Sequence, residues 1–117
     1  MATIQNFKEI MAWQKAEELT LAVYKEFKDS RDFPFRDQIQ RASVSIMNNI
    51  AEGFERKGNK EFIRFLFIAK GSCAEVRSML SLAQKLTYLL EDRALELDSC
   101  CTEITKMLSV FIKKLDN

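Results

Sequence analysis

One stretch of the chain places a cation, a hydroxyl, an amide and a carboxylate along a single line. Arg41, Ser45, Asn48 and Glu52 recur every three or four residues, with Gln38 one turn earlier and Asn49 alongside. On a helix these groups share one side. A guanidinium there could hold an anion, and a carboxylate could exchange protons with a substrate. The same line also suits a hydrogen-bond network between helices or subunits, or a solvated face, because structural ion networks often perturb chemistry without performing it. Arg41 and Glu52 lie roughly 16 Å apart along a helix axis, so they do not pair with each other. Each needs a partner elsewhere. The line reads as a polar interface, and no catalytic residue is assigned.

Other chemistry is thin. The chain has no histidine, so it lacks the Glu-x-x-His pairs of a bundle-core di-iron site and the imidazole of most hydrolytic sites. Cys100 and Cys101 are adjacent, but only Cys101 falls on an apolar seam, and Cys73 sits in a different segment. Without a CxxC spacing these thiols read as small apolar residues. No metal site and no cofactor is expected.

A second candidate lies downstream. Lys60, Arg64, Lys70, Arg77 and Lys85 face only Glu61 and Glu75 in the same segment, a local excess of three positive charges. The segment from Glu91 onward is acidic by two. The basic run suits a surface for the phosphates of RNA or DNA; it equally suits a solvated face that complements the acidic segment.

The elements that must position these residues are helical. Hydrophobic residues make up 47% and charged residues 30% of 117, with three glycines and one proline, a mixture that suits a helix-rich single domain and not a β-sandwich. Trp13, Ala16, Leu19, Val23 and Phe27 form one stripe, and Leu21 falls outside it. Ile39, Ala42, Ile46, Ile50 and Gly53 form the next, beside the polar line. Val44, Met47, Ala51 and Phe54 add a second flank to it. Phe62, Leu66, Ala69, Cys73, Val76, Leu80, Ala83 and Leu86 make a third stripe. Leu97, Cys101, Ile104, Leu108, Phe111 and Leu115 make a fourth, at coiled-coil spacing. Pro34 suits a first helical turn. Lys57-Gly58-Asn59 marks a tight turn, with Asn59 expected to cap the helix that follows. The break near residue 91 has neither Gly nor Pro, and Asp92 is expected to cap there.

These signals predict an all-α, antiparallel up-down four-helix bundle spanning residues 1–117, with helices at about 11–29, 34–57, 59–89 and 92–115. No apolar run nears the roughly 20 residues that cross a bilayer. The start lacks a signal peptide's basic and apolar regions, so a cytoplasmic protein without a membrane partner is expected. Ile63 and Phe67, four apart, point away from the third stripe. They are expected to help hold a homo-oligomer, with Leu21, Met47 or Phe54 as the complementary surface.

The motifs W-Q-K-A-x-x-L at Trp13 to Leu19, Q-x-x-R-A-S-V-S-I at Gln38 to Ile46, N-I-A-E-G at Asn49 to Gly53 and I-A-K-G-S at Ile68 to Ser72 resemble a known family. It is the bacterial four-helix bundle proteins named after 23S rRNA intervening sequences, and the resemblance spans about residues 7–90. It implies a small bundle that assembles as a ring-like homo-pentamer. Related accessory proteins of diversity-generating retroelements carry a basic surface for nucleic acid and reverse transcriptase. The expectation is a non-enzymatic, homo-oligomeric accessory protein that binds structured RNA or DNA. With a net charge of only +1, that binding should be weak. The alternative is a protein-interaction scaffold that uses its apolar flanks and polar line to hold a partner protein.

Overall fold

Periodic stripes become helices where each end finds a way to stop. The computed structural model describes residues 3–117. A 3-10 turn at Phe7–Glu9 leads into α1 (Met11–Phe27), followed by α2 (Phe33–Glu55), α3 (Asn59–Lys85) and α4 (Glu91–Leu115). The four run up and down over a long axis of 46 Å, a little more than the roughly 40 Å that the longest helix, α3, spans at 1.5 Å per residue. Among the described residues no helix is long and apolar enough to cross a membrane.

The expected stripes form the core. Leu19, Val23 and Phe27 of α1, Ile39, Ile46 and Ile50 of α2, Leu66 and Val76 of α3, and Ile104 and Leu108 of α4 are all buried. Each such side chain is worth about 1.5–3 kcal/mol of transfer free energy. Ile10, before α1, also reaches the core, and Phe7 meets Trp13 edge to face at 5.2 Å. The lead-in is therefore packed, with Met11 left exposed.

Gly53 shows why α2 and α3 can sit so close. A Cβ built there would lie 2.7 Å from Phe65 Cβ and 2.9 Å from Phe62 Cδ1. Phe65, absent from the expected stripe, is buried against this approach. The guanidiniums of Arg56 and Arg64 cover its ring at 5.0 and 4.8 Å. Met47 and Phe54 are half-buried and pack on the chain's own core, while Leu21 stays exposed.

The helix ends depart from expectation in instructive ways. Gly58 has φ 85° and forms the cap of α3, as its freedom at positive φ allows. Asn59 does not cap; its side-chain amide donates instead to the Leu115 carbonyl at 3.2 Å, tying the start of α3 to the end of α4. At the other end α3 stops at Lys85, four residues before its expected end at 89. Thr87 has φ 63°, the Thr87 N–H bonds Gln84 O at 3.0 Å and the Tyr88 N–H bonds Ala83 O at 2.8 Å. This is a Schellman closure with threonine where glycine is usual. Tyr88 then stacks edge-on to Phe35 at 5.4 Å and donates its hydroxyl to Asp32 at 2.7 Å. Leu89 enters the core. Those anchors hold the turn, and they leave Leu86 exposed, off its expected stripe. Leu90, not Asp92, is the cap of α4, with Glu91 and Asp92 in its first turn, where their charge opposes the helix dipole favourably. Asp32 caps α2 by accepting the Phe35 N–H at 3.2 Å, and Pro34 lies in the first turn as expected.

Candidate functional site

The polar line divides into two kinds of contact. Ser45 turns toward α3, where its hydroxyl meets the Ser72 hydroxyl at 2.9 Å. Asn49 donates its amide to Ser45 O at 2.8 Å and to Ser45 Oγ at 3.0 Å. Gln38 reaches across to the Glu75 carboxylate at 3.4 Å. The Ser45–Ser72 and Gln38–Glu75 bonds stitch α2 to α3, and the Asn49 bonds brace Ser45 within α2. Glu52 finds its partner on its own helix end, Arg56 Nη2 at 2.7 Å, so the partner it needed is local. Asn48 and Arg41 stay exposed.

Arg41 stands at the rim of a groove of about 640 Å³ between α2 and α3, lined by Pro34, Asp37, Gln38, Ser45 and Glu75. Among the described residues neither Arg41 nor Glu75 has an opposite charge within 4.0 Å. The serine hydroxyls face each other and an amide, so what this arrangement offers is polar recognition at its open end. Glu75 was outside the sequence-level line because it lies on another helix.

The five cations expected on α3 stand in different surroundings. Arg77 is held by Asp98 of α4 at 2.8 Å, and Arg64 by Glu61 at 3.0 Å. These bonds push both guanidinium pKa values up, and Arg64 in return pulls Glu61 down. Lys70 stands 5.5 Å over the Phe67 ring. Lys60 and Lys85 are exposed. Lys57, Lys113 and Lys114, which sequence reasoning passed over, are exposed at the same end of the bundle as Lys60. The Asn59–Leu115 bond brings that end together. Among the described residues none of these four lysines has a carboxylate within 4.0 Å. An up-down topology already puts residues near 57–60 and near 113–114 at one end, so the signal was present.

Phe67 is 55% exposed, with Ile68 and Leu82 also open to solvent, whereas Ile63 is half-buried. A second groove, apolar and about 560 Å³, lies between the lead-in, α1 and α4, lined by Ile4, Met11, Met107 and Val110 among others. Cys73 and Cys101 are buried. Burial pushes the Cys73 thiol up to about 11 and raises Cys101 further, so neither is a ready nucleophile. Among the described residues no group of three or more His, Cys, Asp or Glu could hold a metal ion.

Comparison with solved structures finds a protein of unknown function from the S23 ribosomal protein family of Bacteroides thetaiotaomicron. It shares 27% identity with a TM-score of 0.82, covering 88% of this chain and 99% of that one. Comparison with curated proteins gives no match. Residues 8–110 match the family described as 23S rRNA-intervening sequence protein. With that match spanning most of the chain and the four-helix fold shared, the protein belongs to the 23S rRNA-intervening sequence protein family.

Proposed function

We propose that this chain is a non-enzymatic accessory bundle that assembles with copies of itself, a pentameric ring being the assembly its family resemblance suggests. In this reading it holds structured RNA or DNA weakly through one basic end. The observation that carries the nucleic-acid part is the gathering of Lys57, Lys60, Lys113 and Lys114 around the Asn59–Leu115 bond. Glu55 and Asp116 lie in the same region, so the surplus per copy is modest. Repetition around an assembly multiplies it. The original basic run contributes less than its count suggests, because Arg64 and Arg77 already answer to carboxylates.

Neutralising Z phosphates makes log K fall with log salt at about 0.9Z for duplex and 0.7Z for single strands. Labelled structured RNA should therefore shift at low salt and be released steeply toward physiological salt. Replacing Lys57, Lys60, Lys113 and Lys114 with glutamine should flatten that slope, and Lys70→Gln with Arg77→Gln should change it less. A folded, assembled parent that shifts neither RNA nor DNA at low salt would overturn this reading. The scaffold reading would then lead, supported by the exposed Phe67, Ile68 and Leu82 on α3.

A further inference from the structure

Two of the chain's three thiols share one level of the bundle core. Contacts at both ends fix the register of α3 against α4. Asn59 donates to the Leu115 carbonyl at 3.2 Å, Phe62 meets the Phe111 ring at 5.2 Å, and Arg77 holds Asp98 at 2.8 Å. Cys73 lies fourteen residues after Asn59, and Cys101 lies fourteen before Leu115. Counted from the other end, Cys73 is four residues before Arg77 and Cys101 three after Asp98. The two counts agree within one residue, or about 1.5 Å of helix rise. Both side chains turn inward, each 0% exposed. Thr105, one turn beyond Cys101, donates its hydroxyl to the Cys101 carbonyl at 2.9 Å and stands beside the Cys73 thiol. Cys100 has other surroundings. It is half-buried among the charges of Lys15 and Glu18 of α1 and Glu103 of its own helix.

We infer that Cys73 and Cys101 form a redox modification site, at which a small-molecule disulfide joins them by an Sγ–Sγ bond that ties α3 to α4 in native register. Neighbouring helices have axes about 8–10 Å apart, with Cα atoms about 2.3 Å off each axis. Inward residues at one level therefore fall near the Cα separation of about 4.4–6.8 Å that a disulfide spans. Successive residues on a helix point about 100° apart, so Cys100 faces away from this layer. In the first step one cysteine thiolate attacks a sulfur of the small disulfide, forming a mixed disulfide and expelling one thiolate. The other cysteine thiolate then attacks the protein sulfur, closing the Cys73–Cys101 bond and expelling the second. Both protein protons end on the two released thiols. The protein gives up two electrons and the small disulfide takes them. Burial holds both thiols protonated and out of reach while the seam is closed, so the reaction waits on local opening of α3 from α4.

The test exposes the full chain to oxidised glutathione at mildly alkaline pH, without urea and at sub-denaturing urea, followed by alkylation and peptide mass mapping. Circular dichroism confirms helices in the parent, Cys100→Ser and Cys73→Ala. The parent should lose two hydrogens and yield one peptide pair linked through Cys73 and Cys101, faster in urea than without it. That bridge should outnumber bridges to Cys100 by about tenfold or more, because the fold holds its two sulfurs at a high effective concentration. Cys100→Ser should bridge as the parent does, and Cys73→Ala should form no bridge within one chain. The bridged form should unfold at a higher urea midpoint, and a thiol reductant should return it to the parental one. Bridges mostly to Cys100, glutathione adducts without a bridge, or no reaction even in sub-denaturing urea would each overturn the inference. A bridged form with a lowered midpoint would overturn it too, since the bond would then work against the native register.

Discussion

Two helix pairs in this bundle solve the same packing problem in opposite ways. Between α2 and α3 the interior is closed tightly, through Gly53 against Phe62 and Phe65 and through the Ser45–Ser72 contact, while among the described residues no ion pair joins the two helices. Between α1 and α4 the reverse holds. Lys15–Glu103 and Arg93–Glu26 answer the charges, yet the pair opens near the lead-in into an apolar groove of about 560 Å³. Close packing depends on shape at a few positions and is worth kilocalories. Exposed ion pairs are worth about 0–1 kcal/mol. The contrast teaches that the pair with fewer ion pairs can be the one that holds the fold.

The largest effect should come from the close approach itself. Gly53→Ala puts a methyl within 2.7 Å of Phe65 Cβ, and overpacking of that kind costs about 1–3 kcal/mol. The denaturant midpoint should fall accordingly. Gly71→Ala, with open space at its Cβ, should gain up to about 1 kcal/mol when measured under dissociating conditions. Equal responses at the two glycines would dissolve the distinction between a tight interior and an open exterior.

The next effect probes the core behind the tight pair. The Cys73 thiol is raised from an ordinary 9.0 to about 11 by burial. A raised folded pKa means the unfolded chain loses its proton first. Stability from this group is therefore complete below pH 9 and is lost as pH climbs toward 11. A loss on the order of 2 kcal/mol follows across that window, and Cys73→Ala should flatten the slope of unfolding free energy against pH there. An unchanged slope would mean the thiol is not buried as described.

The smallest effect belongs to the answered charges. Arg93→Ala removes the contacts to Glu26 and Glu96 between partly exposed side chains. It should lower stability by less than about 1 kcal/mol, and less still in high salt. A multi-kilocalorie loss would reverse the ranking of the two pairs.

Much of the fold was legible because helical periodicity identifies buried faces directly. The stripes of α1, α2 and α4, the Gly58 turn and the place of Pro34 all follow from spacing and backbone chemistry. The end of α3 was not legible, because Thr87 adopts a conformation its side chain disfavours and is held there by Tyr88 and Leu89. Those anchors are distant in sequence from Asp32 and Phe35. Phe65 was missed for a related reason: a face centred on Phe62 and Leu66 widens only where a neighbour comes unusually close. In the candidate site, spacing found the polar line but not its partners. Whether Arg77 meets Asp98 or solvent depends on the axial stagger of α3 against α4, which periodicity leaves open. Ile63 shows the same limit, since its angle pointed outward while packing left it half-buried.

The lead-in has an optical consequence. Trp13 is the chain's one indole, and Phe7 of the 3-10 turn closes over its ring at 5.2 Å. Peeling those first residues away would hydrate that chromophore while the four helices stayed intact. Red-shifted emission with unchanged ellipticity is therefore the spectral signature of the lead-in letting go, a reporter the molecule carries without any added label.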